Sequence, residues 1–172
     1  MRLFVAVQPP SAVLDLLEAL PRPERPGIRW TKRAHWHVTL RFLGEVADPA
    51  PVVEALEGAP LHRCVARLGP GAEVLGRSVV SVPVAGLDDL ATGVAAVLGG
   101  MGTANDDRGF RGHVTLARMA RGGARGAARA VVRELADRPV GASFDVDEVR
   151  LVRSHLGGGP PRYEDLHVRR LR

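Results

Sequence analysis

Apolar positions in this chain repeatedly change period, and the changes divide it into elements. Arg2 to Val7 is an apolar run of strand length, and Pro9-Pro10-Ser11 opens a stretch in which Val13, Leu16, Leu17 and Leu20 recur at helical spacing. Pro21 to Gly27 is a proline-rich connection. A second strand is expected from Trp36 to Leu43, then a helix capped by Asp48 and Pro49 whose inner face carries Val52, Val53 and Leu56. Leu61 to Leu68 and Ser78 to Val84 read as two strands; Pro83 assigns the latter to a sheet edge or marks a strand end, since proline cannot donate to a ladder. Leu87, Leu90, Val94 and Val97 form the stripe of a third helix, ended by Gly99-Gly100.

From Met101 to Gly109 apolar residues are scarce, which predicts a loop before a strand at Phe110 to Arg118. A fourth helix presents Ala128, Val131, Val132 and Leu135 and stops at Pro139. Phe144 to Val152 reads as one strand whose inward parity shifts at Asp147-Glu148, predicting a bulge. A glycine turn at Gly157 to Pro161 leads to a last strand, Tyr163 to Leu171. Strand, helix, strand and helix thus occur in both halves, an α+β or α/β layout with the look of a duplication.

One tetrapeptide marks the duplication. His-Val-Thr-Leu occurs at His37 to Leu40 and again at His113 to Leu116, in a chain with six histidines and five threonines. Residues i and i+2 of a strand face the same way, so each copy offers an imidazole beside a hydroxyl, while Val38 and Leu40, or Val114 and Leu116, anchor the other face. Two imidazoles near neutral pKa can divide the work of opening a cyclic phosphodiester. One takes a proton from water, the other gives one to the leaving oxygen, and no metal is required. A threonine beside each can hold a nonbridging phosphate oxygen.

Composition narrows the setting without changing that picture. Hydrophobic content of 45% and charged content of 25% fit an ordinary globular domain, and 172 residues suit one domain of two similar lobes. No apolar stretch reaches the length of a membrane span, Leu3 to Val7 is too short for a signal-peptide core, and Cys64 is alone, so a cytoplasmic setting and a buried structural thiol are expected. The net charge is +5, and Lys32 is the only lysine. Arginine suits phosphate, but compositional bias accounts for the enrichment equally well, because the charges are spread over both halves.

The segments around the two tetrapeptides resemble the 2H phosphoesterase superfamily, named for two His-x-Thr motifs, and within it the bacterial RNA 2′,3′-cyclic phosphodiesterases, also called 2′-5′ RNA ligases. Arg2 to Val7 resembles the opening strand, His37 to Val46 the first motif, Arg108 to Arg118 the second, and Ser154-His155-Leu156 with the glycine turn and Tyr163 the closing segment. The resemblance implies an α+β bilobal fold over residues 1–172, with a pseudo-two-fold axis, two antiparallel sheets lining a central cleft and helices outside. It implies no cofactor, and an RNA partner whose 2′,3′-cyclic phosphate end is opened to a 2′-phosphate. Some members also join RNA ends reversibly through a 2′-5′ linkage without ATP.

Carried over by position, His37 and His113 are the acid-base pair, with His37 assigned as acid to the 3′ oxygen and His113 as base to water. Thr39, Thr115 and Arg118 are phosphate ligands. Arg118 has the opposite parity to His113, so a strand end or bulge must turn it inward. Arg41, Phe42 and Tyr163 are candidates for touching substrate, although Trp30, Trp36 and Phe42 also read as core aromatics. Gly109 and Gly112 stand where the family often has prolines, which implies a flexible approach to His113. His35 stands where the family often has asparagine and adds a third imidazole; with His37 and His113 it forms the alternative of a zinc site. The other rival readings are an RNA-end-binding module without turnover and a phosphodiesterase acting on small cyclic nucleotides. Nothing in the sequence calls for more than a monomer.

Overall fold

The computed structural model describes residues 1–104, 109–120, 126–155, 157 and 162–172. Arg108, Leu156 and the expected glycine turn beyond Gly157 lie outside the described residues. In chain order the elements are β1 (Arg2–Val7), α1 (Ser11–Glu18), β2 (Ile28–Trp30), a single 3-10 turn at Arg33–His35, β3 (Val38–Glu45), α2 (Ala50–Gly58), β4 (Cys64–Leu68), β5 (Glu73–Leu75), β6 (Val79–Ala85), α3 (Asp88–Val97), β7 (His113–Met119), α4 (Ala127–Glu134), β8 (Ala142–Val146), β9 (Glu148–His155) and β10 (Arg162–Arg170).

The strands pair antiparallel in the order β10-β9-β1-β3-β7-β6-β4-β8, with β2 added to β7 and β5 to β6. Two four-strand groups, β10-β9-β1-β3 and β7-β6-β4-β8, are joined where the motif strands meet, at the single pair Val38↔Val114. Both valines are fully buried. Helices cover one face of this curled sheet. Val13, Leu14 and Leu17 of α1, Val52 and Leu56 of α2, Leu90 and Val94 of α3 and Ala128 and Val131 of α4 join Leu3, Val5, Val7, Val38, Val80, Val82 and Val114 in the main core. Phe4, Ala6 and Val152 form a separate small cluster, with Tyr163 against it. Alternation along β1 therefore supplies both faces: Leu3, Val5 and Val7 to the helices, Phe4 and Ala6 to the other side.

Several boundaries differ from the sequence reading, each for a local reason. The first motif strand begins at Val38, not Trp36, because the amides of His35 and Trp36 donate to Lys32 and Arg33 carbonyls in the 3-10 turn. Leu14 replaces Leu16 on the inner face of α1; Leu16 is 44% exposed. The strand expected from Leu61 starts at Cys64, and β2 and β5, three residues each, carry too little pattern to be read. Cys64 is only half-buried.

Pro83 is not at a sheet edge. Its strand β6 lies inside the sheet, and the proline falls in a gap on one side, where β5 pairs with Val79 to Ser81 and β4 pairs only from Val84. The single strand expected over Phe144 to Val152 is two, broken at Asp147: β8 pairs with β4, while β9 pairs with β1 and β10. The parity shift therefore marks a crossing from one strand group to the other instead of a bulge.

Candidate active site

The two motif histidines are held alike. His37 Nδ1 lies 2.8 Å from the His35 carbonyl oxygen, and His113 Nδ1 lies 2.7 Å from the Arg111 carbonyl oxygen. A carbonyl oxygen only accepts, so Nδ1 carries the proton in each neutral ring and Nε2 keeps its lone pair. The second motif strand begins at His113, later than the expected Phe110, which leaves the Arg111 carbonyl free of the ladder and available to the ring. Because Val38 and Val114 face each other in the core, the partly exposed His37, Thr39, His113 and Thr115 share the opposite, helix-free face.

Arg118 reaches this face through a bulge in β7. Val80 pairs with Ala117 and Ser81 with Thr115, so Leu116 is an additional residue. Leu116 and Ala117 are buried in succession, and the alternation resets with Arg118 exposed. Its charge is felt by both His37 and Tyr163. In β3, by contrast, register shifts interrupt the alternation that would give Arg41 the parity of His37 and Thr39. Arg41 pairs opposite the core residue Val5, and Phe42 pairs opposite Phe4. Phe42 is 43% exposed and its ring lies 5.9 Å from that of Phe4, so it is not a core aromatic. Trp36, at 1% exposure, is.

Aromatic rings surround His37. Phe4 stacks on it at 4.8 Å between centroids, and Tyr163 meets it edge-on at 5.3 Å. Tyr163 also meets His35 at 4.9 Å. Burial pushes His37 down to about 4, against the lift from its bond to the His35 carbonyl, and the neighbouring charges of His113, His35 and Arg118 lower it further. Burial likewise raises the Tyr163 hydroxyl above its ordinary value, although Arg118 and Arg2 oppose the rise. His35 sits in the 3-10 turn ahead of the motif strand, and among the described residues no group of three or more His, Cys, Asp or Glu side chains is arranged to hold a metal ion.

Gly112 is required by contact instead of conferring freedom. A Cβ there would lie 2.2 Å from the Val84 carbonyl oxygen, and the Gly112 carbonyl accepts from the Val84 amide at 2.9 Å. The backbone leading into His113 is thereby fixed to β6.

A pocket of about 390 Å³ opens beside His37, on the β1-β9-β10 side. Phe4, Ala6, Val152 and Tyr163 supply its apolar lining, and Gln8, Arg150 and Asp165 its polar one. These polar residues escaped the sequence reading. The unbroken apolar run of Leu3 to Val7 was the available signal that both faces of β1 are covered; Arg150 and Asp165 stand in no recognisable spacing.

Residues 5–64 match the family model described as LigT-like phosphoesterase. The chain is similar to a protein of Aeropyrum pernix named RNA 2′,3′-cyclic phosphodiesterase, with 35% identity over 144 residues, covering 77% of this chain and 80% of the relative. Among solved structures, a protein of Thermus thermophilus superposes with a TM-score of 0.74 at 30% identity, covering 99% of this chain and 98% of that one. Escherichia coli LigT, solved with 3′-AMP, shares the fold with a TM-score of 0.75 at 24% identity over 99% of this chain and 97% of that one.

Proposed function

The chain belongs to the LigT-like phosphoesterases of the 2H group, and we propose that it opens RNA 2′,3′-cyclic phosphate ends to 2′-phosphates without metal, the two halves of residues 1–172 acting as one catalytic unit. The observation that carries this reading is the matched anchoring of His37 and His113, each donating Nδ1–H to the carbonyl two residues back and presenting Nε2 on one face. The relative's name supplies the substrate class. Thr39 and Thr115 hold the nonbridging oxygens, and Arg118 adds the cation that a phosphodiester anion needs. Water attacks phosphorus in line with the 3′ oxygen; His113 takes the water proton at Nε2 as the P–O bond forms, and His37 gives its Nε2 proton to the departing 3′ oxygen.

Burial holds the His37 imidazole neutral in the free protein, so it takes up its Nε2 proton from solvent as the substrate binds, the negative charge of the phosphodiester offsetting that burial. With a 5′-hydroxyl in place of water as the attacking group, the same pair in the same roles joins RNA ends through a 2′-5′ linkage without ATP, and the reverse step, attack by the 3′-hydroxyl with the 5′ oxygen leaving, opens that linkage again.

His37→Ala and His113→Ala should each lower kcat/KM on cyclic-phosphate RNA by about 10²- to 10⁴-fold, measured in chelator-treated buffer. Rates within about tenfold of the unaltered protein for either variant would sink the mechanism, and a 3′-phosphate product would contradict the assignment of the leaving oxygen.

A further inference from the structure

We propose that the pocket beside His37 selects guanine on the nucleotide that carries the cyclic phosphate, with Asp165 accepting from the paired N–H donors of its Watson–Crick edge; this rests on the RNA phosphodiesterase reading. Strand order sets out the dimensions. The motif residue His37 precedes β3, and the pocket runs outward across β1 and β9 to Asp165 on β10. Strand spacing makes that about 14 Å between the outer backbones, and side chains close part of it, since Tyr163 of β10 already meets the His37 ring at 5.3 Å. A phosphate at His37 therefore places its own nucleoside across Phe4, Ala6 and Val152, with the base edge toward β10. Tyr163, partly exposed and 5.3 Å from the buried Phe4 ring, offers a base its own ring.

The outer wall excludes a second phosphate. Every nitrogen of the Arg150 guanidinium is engaged: Nη1 donates to Asp165 Oδ2 at 2.6 Å, and Nε and Nη2 donate to Glu148 Oε1 at 3.0 and 2.6 Å. Glu148, which Arg170 also meets at 3.0 Å, holds the far side of the guanidinium, and Asp165 is the acceptor on this wall: Arg150 engages its Oδ2 while Oδ1 has its own acceptor sites. The Asp165 side chain is 42% exposed, open to a ligand.

Among the four bases only guanine places two donors side by side, N1–H and N2–H, to match a carboxylate. Adenine and cytosine set a lone-pair nitrogen beside their amino group, and uracil flanks its single N–H with two carbonyl oxygens, so each brings an acceptor against Asp165. Gln8, in the same pocket, supplies an amide donor for guanine O6.

The test compares four short RNAs that end in a 2′,3′-cyclic phosphate and differ only in the last nucleotide. The unaltered protein should favour terminal guanine over adenine in kcat/KM by about ten- to a hundredfold. Asp165→Asn exchanges two acceptors for the acceptor-donor edge that suits adenine N6 and N1, and should lower that ratio by about tenfold or more. Because the readout is a ratio within one protein preparation, partial unfolding of the variant does not mimic it. Equal turnover of the four RNAs, or a ratio that survives Asp165→Asn, overturns the guanine site and leaves the phosphodiesterase reading standing; no turnover of any of them by the unaltered protein overturns that reading itself.

Discussion

His37 and His113 have the same donor geometry and different surroundings, and the difference is measurable. Burial depresses His37 from 6.5 to about 4, so between those values the unfolded chain binds a proton there that the folded protein does not. Stability gained from keeping this ring neutral is complete above pH 6.5 and is lost as pH falls through the window toward 4. His37→Asn, which retains a donor for the His35 carbonyl, should flatten the stability curve across that window by up to about 1.4 kcal/mol per pH unit in chemical denaturation; an unchanged slope would place the ring in water. The acid role proposed for His37 makes a second demand. Binding of a non-hydrolysable cyclic-phosphate analogue near pH 6.5 should take up close to one proton, seen as a dependence of the calorimetric heat on buffer ionisation, and absence of uptake would exchange the roles of His37 and His113. Thr39→Val and Thr115→Val should each cost about one to two orders of magnitude in kcat, smaller than loss of a histidine because each removes one oxyanion donor. At this scale the sequence was legible where residue type alone carries chemistry. The twin His-Val-Thr-Leu named two imidazoles and two hydroxyls, whereas Asp165 and Arg150 acquire meaning only from what stands opposite them.

Bulges decide which residues of the motif strands meet. The additional residue Leu116 in β7 brings Arg118 to the His113 face, and shifts in β3 set Phe42 opposite Phe4 and Arg41 opposite Val5. Opposite parity at Arg118 was visible in the sequence as a conflict that a bulge would resolve; no comparable conflict announced the shifts in β3, which set Arg41 opposite Val5. Long periodic elements were readable for the same reason that short ones were not. α3 spans ten residues with Leu90 and Val94 inward, while β2 and β5 have three residues each and owe their existence to the strands they pair with. Contact also explains Gly112. Gly112→Ala forces a methyl toward the Val84 carbonyl oxygen, 2.2 Å from an ideal Cβ, and should destabilise the fold by about 1–3 kcal/mol while lowering turnover, read together from denaturant melts and kcat. Loss of turnover at full stability would mean the glycine serves the site alone.

Across the whole molecule, charge is spread over both halves of the chain. Arg33, Arg111, Arg150 and Arg170 each face a carboxylate, and Arg118 stands at the face of the motif histidines. The logarithm of kcat/KM on RNA should therefore fall against the logarithm of salt with a slope no steeper than about −2, as expected for one to three phosphate contacts to a single strand; a much steeper slope would reveal an extended backbone groove. The duplicated order of elements was legible from hydrophobic period, but the strand order was not, because pairing across the joint depends on long-range register that alternation does not encode. That joint is narrow, one pair at Val38↔Val114, and the motifs lie about it with approximate two-fold symmetry. A perfectly symmetric pair of His-Thr units would be blind to direction: a ribose turned end for end would present its 2′ oxygen where its 3′ oxygen had been, and both isomeric products would emerge. The aromatic pocket borders His37 and not His113. On the proposed seating of the base, a sugar on that side would approach phosphorus in only one sense, so the choice between the two ribose oxygens would be made outside either tetrapeptide, by the strands that break the symmetry.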